Sequence, residues 1–149
     1  MSVTDKMVCF SLYSAARATM RVYRMLLEPW DLTYPQYLVL VVLWNDGEQN
    51  MQSLGEAMQL DSGTLSPLLR RLEKAGYVAR ERRDSDARIV TVTLTNAGQE
   101  LRAELAHIPA RVRELMLTTD DEQARQLLST LQGMCASLNK SDHENSDNA

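Results

Sequence analysis

Apolar positions recur every three or four residues along most of this chain, and the interruptions fall at turn-forming residues. The pattern predicts a string of helices broken once by a pair of short strands. Val8, Leu12, Ala15, Val22 and Leu26 mark one face of a helix over residues 5–28, closed by Glu28-Pro29. A second helix over 33–44 starts at Thr33, whose hydroxyl suits an N-cap, and stops at the Asn45-Asp46-Gly47 turn. From Leu38 to Trp44 it is apolar almost all round, which places it in the centre of the core. A short helix over 51–58 then meets the polar turn Leu60-Asp61-Ser62-Gly63, after which Leu65, Leu68, Leu69 and Leu72 line one side of a helix ending at Gly76. Two short helices around a tight polar turn make a helix-turn-helix pattern.

Residues 77–82 and 89–95 are β-prone, with Val90, Val92 and Leu94 alternating, and the polar run 83–88 between them makes a hairpin tip. A hairpin directly after a recognition helix predicts the wing of a winged helix-turn-helix. Helical spacing returns over 96–116 and 120–138, the second stretch with Asp120 as cap and Leu127, Leu128, Leu131, Met134 and Leu138 on one side. The polar tail 139–149 is expected to be disordered, and no internal repeat is visible. The predicted fold class is therefore mainly α (α+β): a winged helix-turn-helix over about 33–95, flanked by long N- and C-terminal dimerisation helices over about 5–28 and 96–138. One domain, 1–138, holds them all. The outer helices carry more apolar surface than a small winged core can cover, so a homodimer about a two-fold axis is expected, and with it a palindromic double-stranded DNA site.

Composition narrows the picture. The 149 residues, 44% of them hydrophobic, suit one globular domain. No apolar run of about 18 residues occurs, and the start MSVTDKMVCFSLYSAAR lacks the charge-then-apolar order of a secretory leader, so a cytoplasmic protein without a membrane span is expected. Two cysteines do not make a disulfide framework. His107 and His143 are the only histidines and stand far apart, so neither a metal nor a cofactor is expected. The net charge of −4 argues against general affinity for nucleic acid. Its distribution does not: between residues 62 and 95, Arg70, Arg71, Lys74, Arg80, Arg82, Arg83 and Arg88 face only Glu73, Glu81, Asp84 and Asp86.

With the leucines of the recognition helix turned inward, Ser62, Thr64, Ser66, Arg70, Arg71 and Lys74 turn outward or sideways. Small residues early in the helix let its backbone approach a groove, hydroxyls can bond phosphates or base edges, and Arg70 has the fork that suits guanine or phosphate. Pro67 is tolerable if the helix begins at Ser62 or later. At the hairpin, Arg80, Arg82, Arg83 and Arg88 are expected to reach the flanking minor groove or phosphates, with Asp86 holding Arg88.

The stretch LDSGTLSPLLRRLEKAGYVARERRDSDARIVTVTLTNAG resembles the recognition helix and wing of MarR-type repressors, including their Asp-x-Arg wing element at Asp86 and Arg88. CFSLYSAARA, followed by LTYPQYLVLVVLW, is similar to the organic-hydroperoxide-sensing OhrR-type branch, and the resemblance runs from about residue 7 to about residue 117. It implies a repressor, not an enzyme, that leaves its operator when organic hydroperoxides oxidise Cys9. Tyr13, Tyr23 and Tyr34 would be the sensor's hydrogen-bonding tyrosines. Two-cysteine members of the branch carry a resolving thiol nearer Glu114. Cys135 departs from that position, so capping of oxidised Cys9 by a small cellular thiol is favoured, with Cys135 a possible resolving thiol and otherwise an ordinary buried one.

Physical chemistry agrees with the assignment. Attack on a peroxide needs thiolate, which a helix N-terminus and phenolic donors both favour. Tyr13 is at i+4 from Cys9, whereas Tyr23 is fourteen residues on, roughly 21 Å along the axis, so only an antiparallel partner could bring it back. Each sensor is expected to be shared, with Cys9 of one subunit facing Tyr23 and Tyr34 of the other. Two other readings stay open: a MarR-type repressor gated by a small phenolic or carboxylate ligand, with Cys9 incidental, and a thiol-dependent peroxidase.

Overall fold

The chain reverses at Asp31, and that reversal positions the core. Pro29 sits in a 3-10 turn, Glu28–Trp30, and Asp31 follows in the left-handed region at φ 51, so that α1 (Val8–Leu27) folds back on α2 (Tyr34–Asp46). The computed structural model describes residues 2–82, 89–116 and 120–146, with side chains through Lys140. Thr33 caps α2 reciprocally: its hydroxyl accepts from the Gln36 N–H, and the Gln36 side chain accepts from the Thr33 N–H. Because α2 is apolar on nearly every side, Tyr37, Val39, Leu40 and Leu43 are all buried.

The helix-turn-helix packs on α2. Asn50 caps α3 (Met51–Met58) by accepting from the Ser53 N–H at 2.8 Å, and Asp61 caps α4 (Ser62–Lys74) by accepting from the Thr64 N–H at 2.7 Å. Between them Gln59 takes up the left-handed conformation at φ 54, and Gly76 at φ 84 ends the recognition helix. Leu65, Leu69 and Leu72 are fully buried, each worth about 1.5–3 kcal/mol of burial. Leu68 is only half-buried. Pro67 is the sixth residue of α4, past the first turn, so the helix lacks the hydrogen bond that an N–H there would make to the Gly63 carbonyl.

β2 (Val78–Arg82) and β3 (Val90–Leu94) pair antiparallel, with Val78 opposite Leu94 and Arg82 opposite Val90. A third strand that the sequence pattern missed, β1 (Gln49–Asn50), adds to β3 with Gln49 opposite Val92. At two residues it is too short to alternate. The order β1-β3-β2 gives the small antiparallel sheet of a winged helix, and the predicted mainly helical fold class stands.

Three boundaries differ from expectation. The first helix does not run from residue 5: Val3–Lys6 is a separate 3-10 turn closed by Ser2 and Asp5, and Met7, with ψ 115, interrupts it before α1 starts at Val8. The stretch 96–116 divides into α5 (Asn96–Leu105) and α6 (Ile108–Leu115), because Pro109 has no N–H to continue a helix and fits only a first turn. α7 (Asp121–Ser146) continues into the tail expected to be disordered, which is polar but holds neither proline nor glycine to stop a helix. The chain groups into two compact units, Met1–Ile108 and Pro109–Ala149, which part at the same proline. Among the described residues no helix is long and apolar enough to cross a membrane.

Candidate nucleic-acid interface and thiol site

The outer face of α4 is polar and basic. Ser62, Thr64, Arg70, Arg71 and Lys74 are exposed and Ser66 is half-buried, as predicted for a face that meets a groove. The cap prepares its first turn. Hydrogen bonds from Thr64 hold the Asp61 carboxyl below its usual range, so at neutral pH it stays an ionised acceptor on the N-terminal amides.

Arg80 is not part of that face. Its Nε and Nη2 donate to one oxygen of Glu73, at 3.0 and 2.7 Å, and so tie β2 to α4; the hydrogen bond from Arg80 also lowers the Glu73 carboxyl. Arg80, expected at the DNA, is thus placed on β2 and paired with Glu73. It sits mid-strand, opposite Val92, where its side chain meets the recognition helix rather than the hairpin tip. Arg83, Asp86 and Arg88 lie outside the described residues.

Cys9 is the second residue of α1, closer to a helix start than the sequence suggested, and its thiol is exposed. The surrounding end of α1 is apolar and uncovered: Met7, Val8, Phe10 and Tyr13 are all exposed. Tyr13, one turn beyond Cys9, is held by Arg17, whose Nη1 donates to the phenol oxygen at 3.3 Å while the guanidinium lies 5.4 Å from the ring centroid. Since the oxygen accepts from Arg17, the phenolic hydrogen is left to donate elsewhere.

Tyr23 and Tyr34 meet across the α1–α2 reversal, with ring centroids 4.2 Å apart. Burial, with help from Tyr34 and Tyr37, pushes the Tyr23 phenol up to about 12, and burial raises Tyr34 as well, so both remain donors at neutral pH. Within one protomer Cys9 does not join them, since the rigid length of α1 separates it from Tyr23 by roughly 21 Å. Sequence reasoning missed Tyr37, which packs 5.9 Å from Tyr23 and is also raised by burial. Its i+3 spacing from Tyr34 was the available signal. Cys135, expected to be buried unless it resolves Cys9, is exposed on α7, where Leu127, Leu128 and Leu138 are also uncovered.

Comparison with known proteins places this geometry. A family model described as "Transcriptional regulator SarA/Rot" matches residues 21–105. The chain is 45% identical over 130 residues to the HTH-type transcriptional regulator TtmR of Methylorubrum extorquens, covering 87% of this chain and 66% of that protein. It is 35% identical over 136 residues to the organic hydroperoxide resistance transcriptional regulator of Bacillus subtilis, covering 91% of this chain and 92% of that one. Among solved structures, reduced AbfR of Staphylococcus epidermidis bound to DNA superposes with a TM-score of 0.78 at 35% identity, over 88% of this chain and 91% of that one. AbfR has also been solved in a disulfide form, which matches with a TM-score of 0.64 at 32% identity over 89% of this chain and 87% of that one. This chain belongs to the MarR/SarA-like winged-helix transcriptional regulators and is a DNA-binding member of them, and its likeness to the Bacillus protein supports the OhrR-type branch.

Proposed function

We propose that the protein is a homodimeric repressor that holds a palindromic DNA site while Cys9 is reduced and releases it when an organic hydroperoxide oxidises that thiol. One observation carries the reading: Cys9 is exposed in the first turn of α1, one turn from Tyr13, on a helix end where Met7, Val8 and Phe10 are also exposed. A second copy covering that end antiparallel brings its own Tyr23–Tyr34 pair to the sulfur. The start of α1 and the protonated phenols then place hydrogen-bond donors around the sulfur. The name of the Bacillus relative and the reduced and disulfide structures of AbfR lend support.

The chemistry is a two-electron transfer. The Cys9 thiolate attacks the terminal peroxide oxygen, the O–O bond breaks, and the alkoxide leaves and takes a proton to become the alcohol, while sulfur becomes a sulfenic acid. A small cellular thiol then condenses with the sulfenic acid, forming a mixed disulfide and water; Cys135 is the alternative thiol. The protein acts as a stoichiometric sensor rather than an enzyme. Loss of the thiolate removes the acceptor of the phenolic hydrogen bonds and adds bulk at the dimer helices, which changes the spacing of the two recognition helices.

A duplex selected by the reduced protein from a randomised library provides the probe. Native protein is expected to release it after treatment with cumene hydroperoxide, and Cys9→Ser to retain it. Release by both proteins, or by neither, removes the redox reading.

A second reading is favoured by an open groove of about 560 Å³ at the α1–α2 reversal, lined by Arg21, Arg24, Met25, Glu28, Asp31, Leu32 and Thr33. Its two arginines offer donors to a small phenolic or carboxylate ligand, beside the carboxylates of Glu28 and Asp31. That reading predicts ligand-driven release that survives Cys9→Ser.

A further inference from the structure

Aromatic contacts continue from the tyrosine pair to the base of the wing. Tyr37, 4% exposed, has Tyr23 at 5.9 Å and Trp44 edge-on at 6.3 Å. Trp44 is anchored twice to α5: its Nε1 donates to the Gly98 carbonyl at 2.8 Å, and its own carbonyl accepts from Arg102 Nη1 at 2.8 Å. Gly98 leaves no room beyond that contact, since a Cβ there would overlap the Tyr77 carbonyl. The same carbonyl accepts from the Thr95 N–H at 3.1 Å, and the Thr95 hydroxyl donates to the Gly76 carbonyl at 2.6 Å. Tyr77 leads into β2 and Thr95 follows β3, so both strands of the wing hang on this junction.

The path is made of ring contacts, hydrogen bonds and the close approach of Gly98 to the Tyr77 carbonyl. Packed interiors respond to displacement by switching between discrete arrangements rather than by stretching. A change of spacing between α1 and α2 at Tyr23 and Tyr34 therefore reaches Trp44, and Trp44 cannot shift without moving the first turn of α5 against the wing base. We propose that Trp44, backed by Tyr37 and held by Arg102, is a positioning residue that passes the state of the Tyr23–Tyr34 pair to the wing; the inference rests on the redox reading above.

The test compares native protein with Trp44→Phe and Arg102→Gln. Trp44→Phe keeps a ring against Tyr37 and removes the donor to Gly98. Arg102→Gln is a change at an exposed residue that leaves the core filled. Melting temperature, duplex affinity before and after cumene hydroperoxide, and Cys9 oxidation by mass spectrometry are measured for each. Both variants are expected to bind within about threefold of native when reduced and to oxidise Cys9 at the native rate, while the affinity lost on oxidation falls from roughly tenfold or more in the native protein to about twofold. Arg102→Lys, which keeps a donor for the Trp44 carbonyl, restores release. Full release by both variants with Cys9 oxidised overturns the proposal and leaves the redox reading intact. Weakened reduced binding in both assigns Trp44 a merely structural role and also overturns it. Native protein that keeps its duplex with Cys9 oxidised, or releases it with Cys9 intact, overturns both readings. If Trp44→Phe does not fold, the Arg102 pair decides.

Discussion

Tyr23 on α1 and Tyr34 on α2 stack with ring centroids 4.2 Å apart and planes inclined at 37°, although the left-handed turn at Asp31 lies between them in the chain. The contact keeps two phenols in a poorly solvated place, with Tyr37 beside them. Their acidity follows from that setting.

The first prediction is a late alkaline titration. Burial raises Tyr23, Tyr34 and Tyr37, the first from 10.0 to about 12, because the phenolate is the form that burial disfavours. A folded value above the unfolded one contributes stability that is present below pH 10.0 and is lost as the pH rises through about 12. An ultraviolet difference titration should therefore show these three of the five tyrosines ionising late, together with a loss of folded protein over that window. Simultaneous, unperturbed ionisation of all five would contradict the cluster.

Glycine substitutions should separate two environments. Gly98→Ala places a Cβ on the Tyr77 carbonyl, a backbone atom that cannot rotate away, and should cost about 1–3 kcal/mol in urea unfolding, with weaker DNA binding as the wing base shifts. Gly133→Ala, on α7 with nothing within 4 Å of the added carbon, should instead stabilise its helix by about 0.5–1 kcal/mol. Equal effects at the two sites would mean that the Gly98 contact is not tight.

Most of the architecture was legible because it rests on local chemistry. Thr33, Asp61 and the Leu65–Leu72 spacing report caps and faces directly, and the Val90, Val92, Leu94 alternation reports β3. What stayed hidden depends on partners distant in the chain. Nothing local distinguishes Arg80, committed to Glu73, from Arg70, exposed on α4; β1 is too short to carry a period; and Trp44 looks like any core aromatic until Gly98 is set against it. The motif around Cys9 and its place near a helix start were legible in the sequence, whereas Tyr23 and Tyr34 come together only through the reversal at Asp31.

Acid should weaken the tie between wing and recognition helix. The hydrogen bond from Arg80 lowers Glu73 from 4.5, so its contribution is present above that pH and is lost as the pH falls through the lower folded value. The pair is partly exposed, which limits it to about 1 kcal/mol or less after solvent screening. Native protein and Glu73→Gln should differ by that amount at neutral pH and converge in acid. A gap that persists well below the folded value of Glu73 would assign the loss to packing rather than to the ion pair.

Salt dependence should tell the two arginines apart. Arg70 is exposed on the outer face of α4, where a phosphate or a guanine edge can meet it, whereas Nε and Nη2 of Arg80 both donate to Glu73. If Arg70 holds a phosphate, Arg70→Ala removes one counterion-releasing contact, and the slope of log affinity against log salt should become shallower by about 1 per subunit. If it reads a base, the slope changes less and discrimination among duplexes falls instead. Arg80→Ala should lower the melting temperature and weaken binding across all duplexes while leaving the slope nearly unchanged, because the side chain it removes neutralises a carboxylate of the protein and not a phosphate. A slope change at Arg80 as large as that at Arg70 would show that Arg80 leaves Glu73 when DNA arrives.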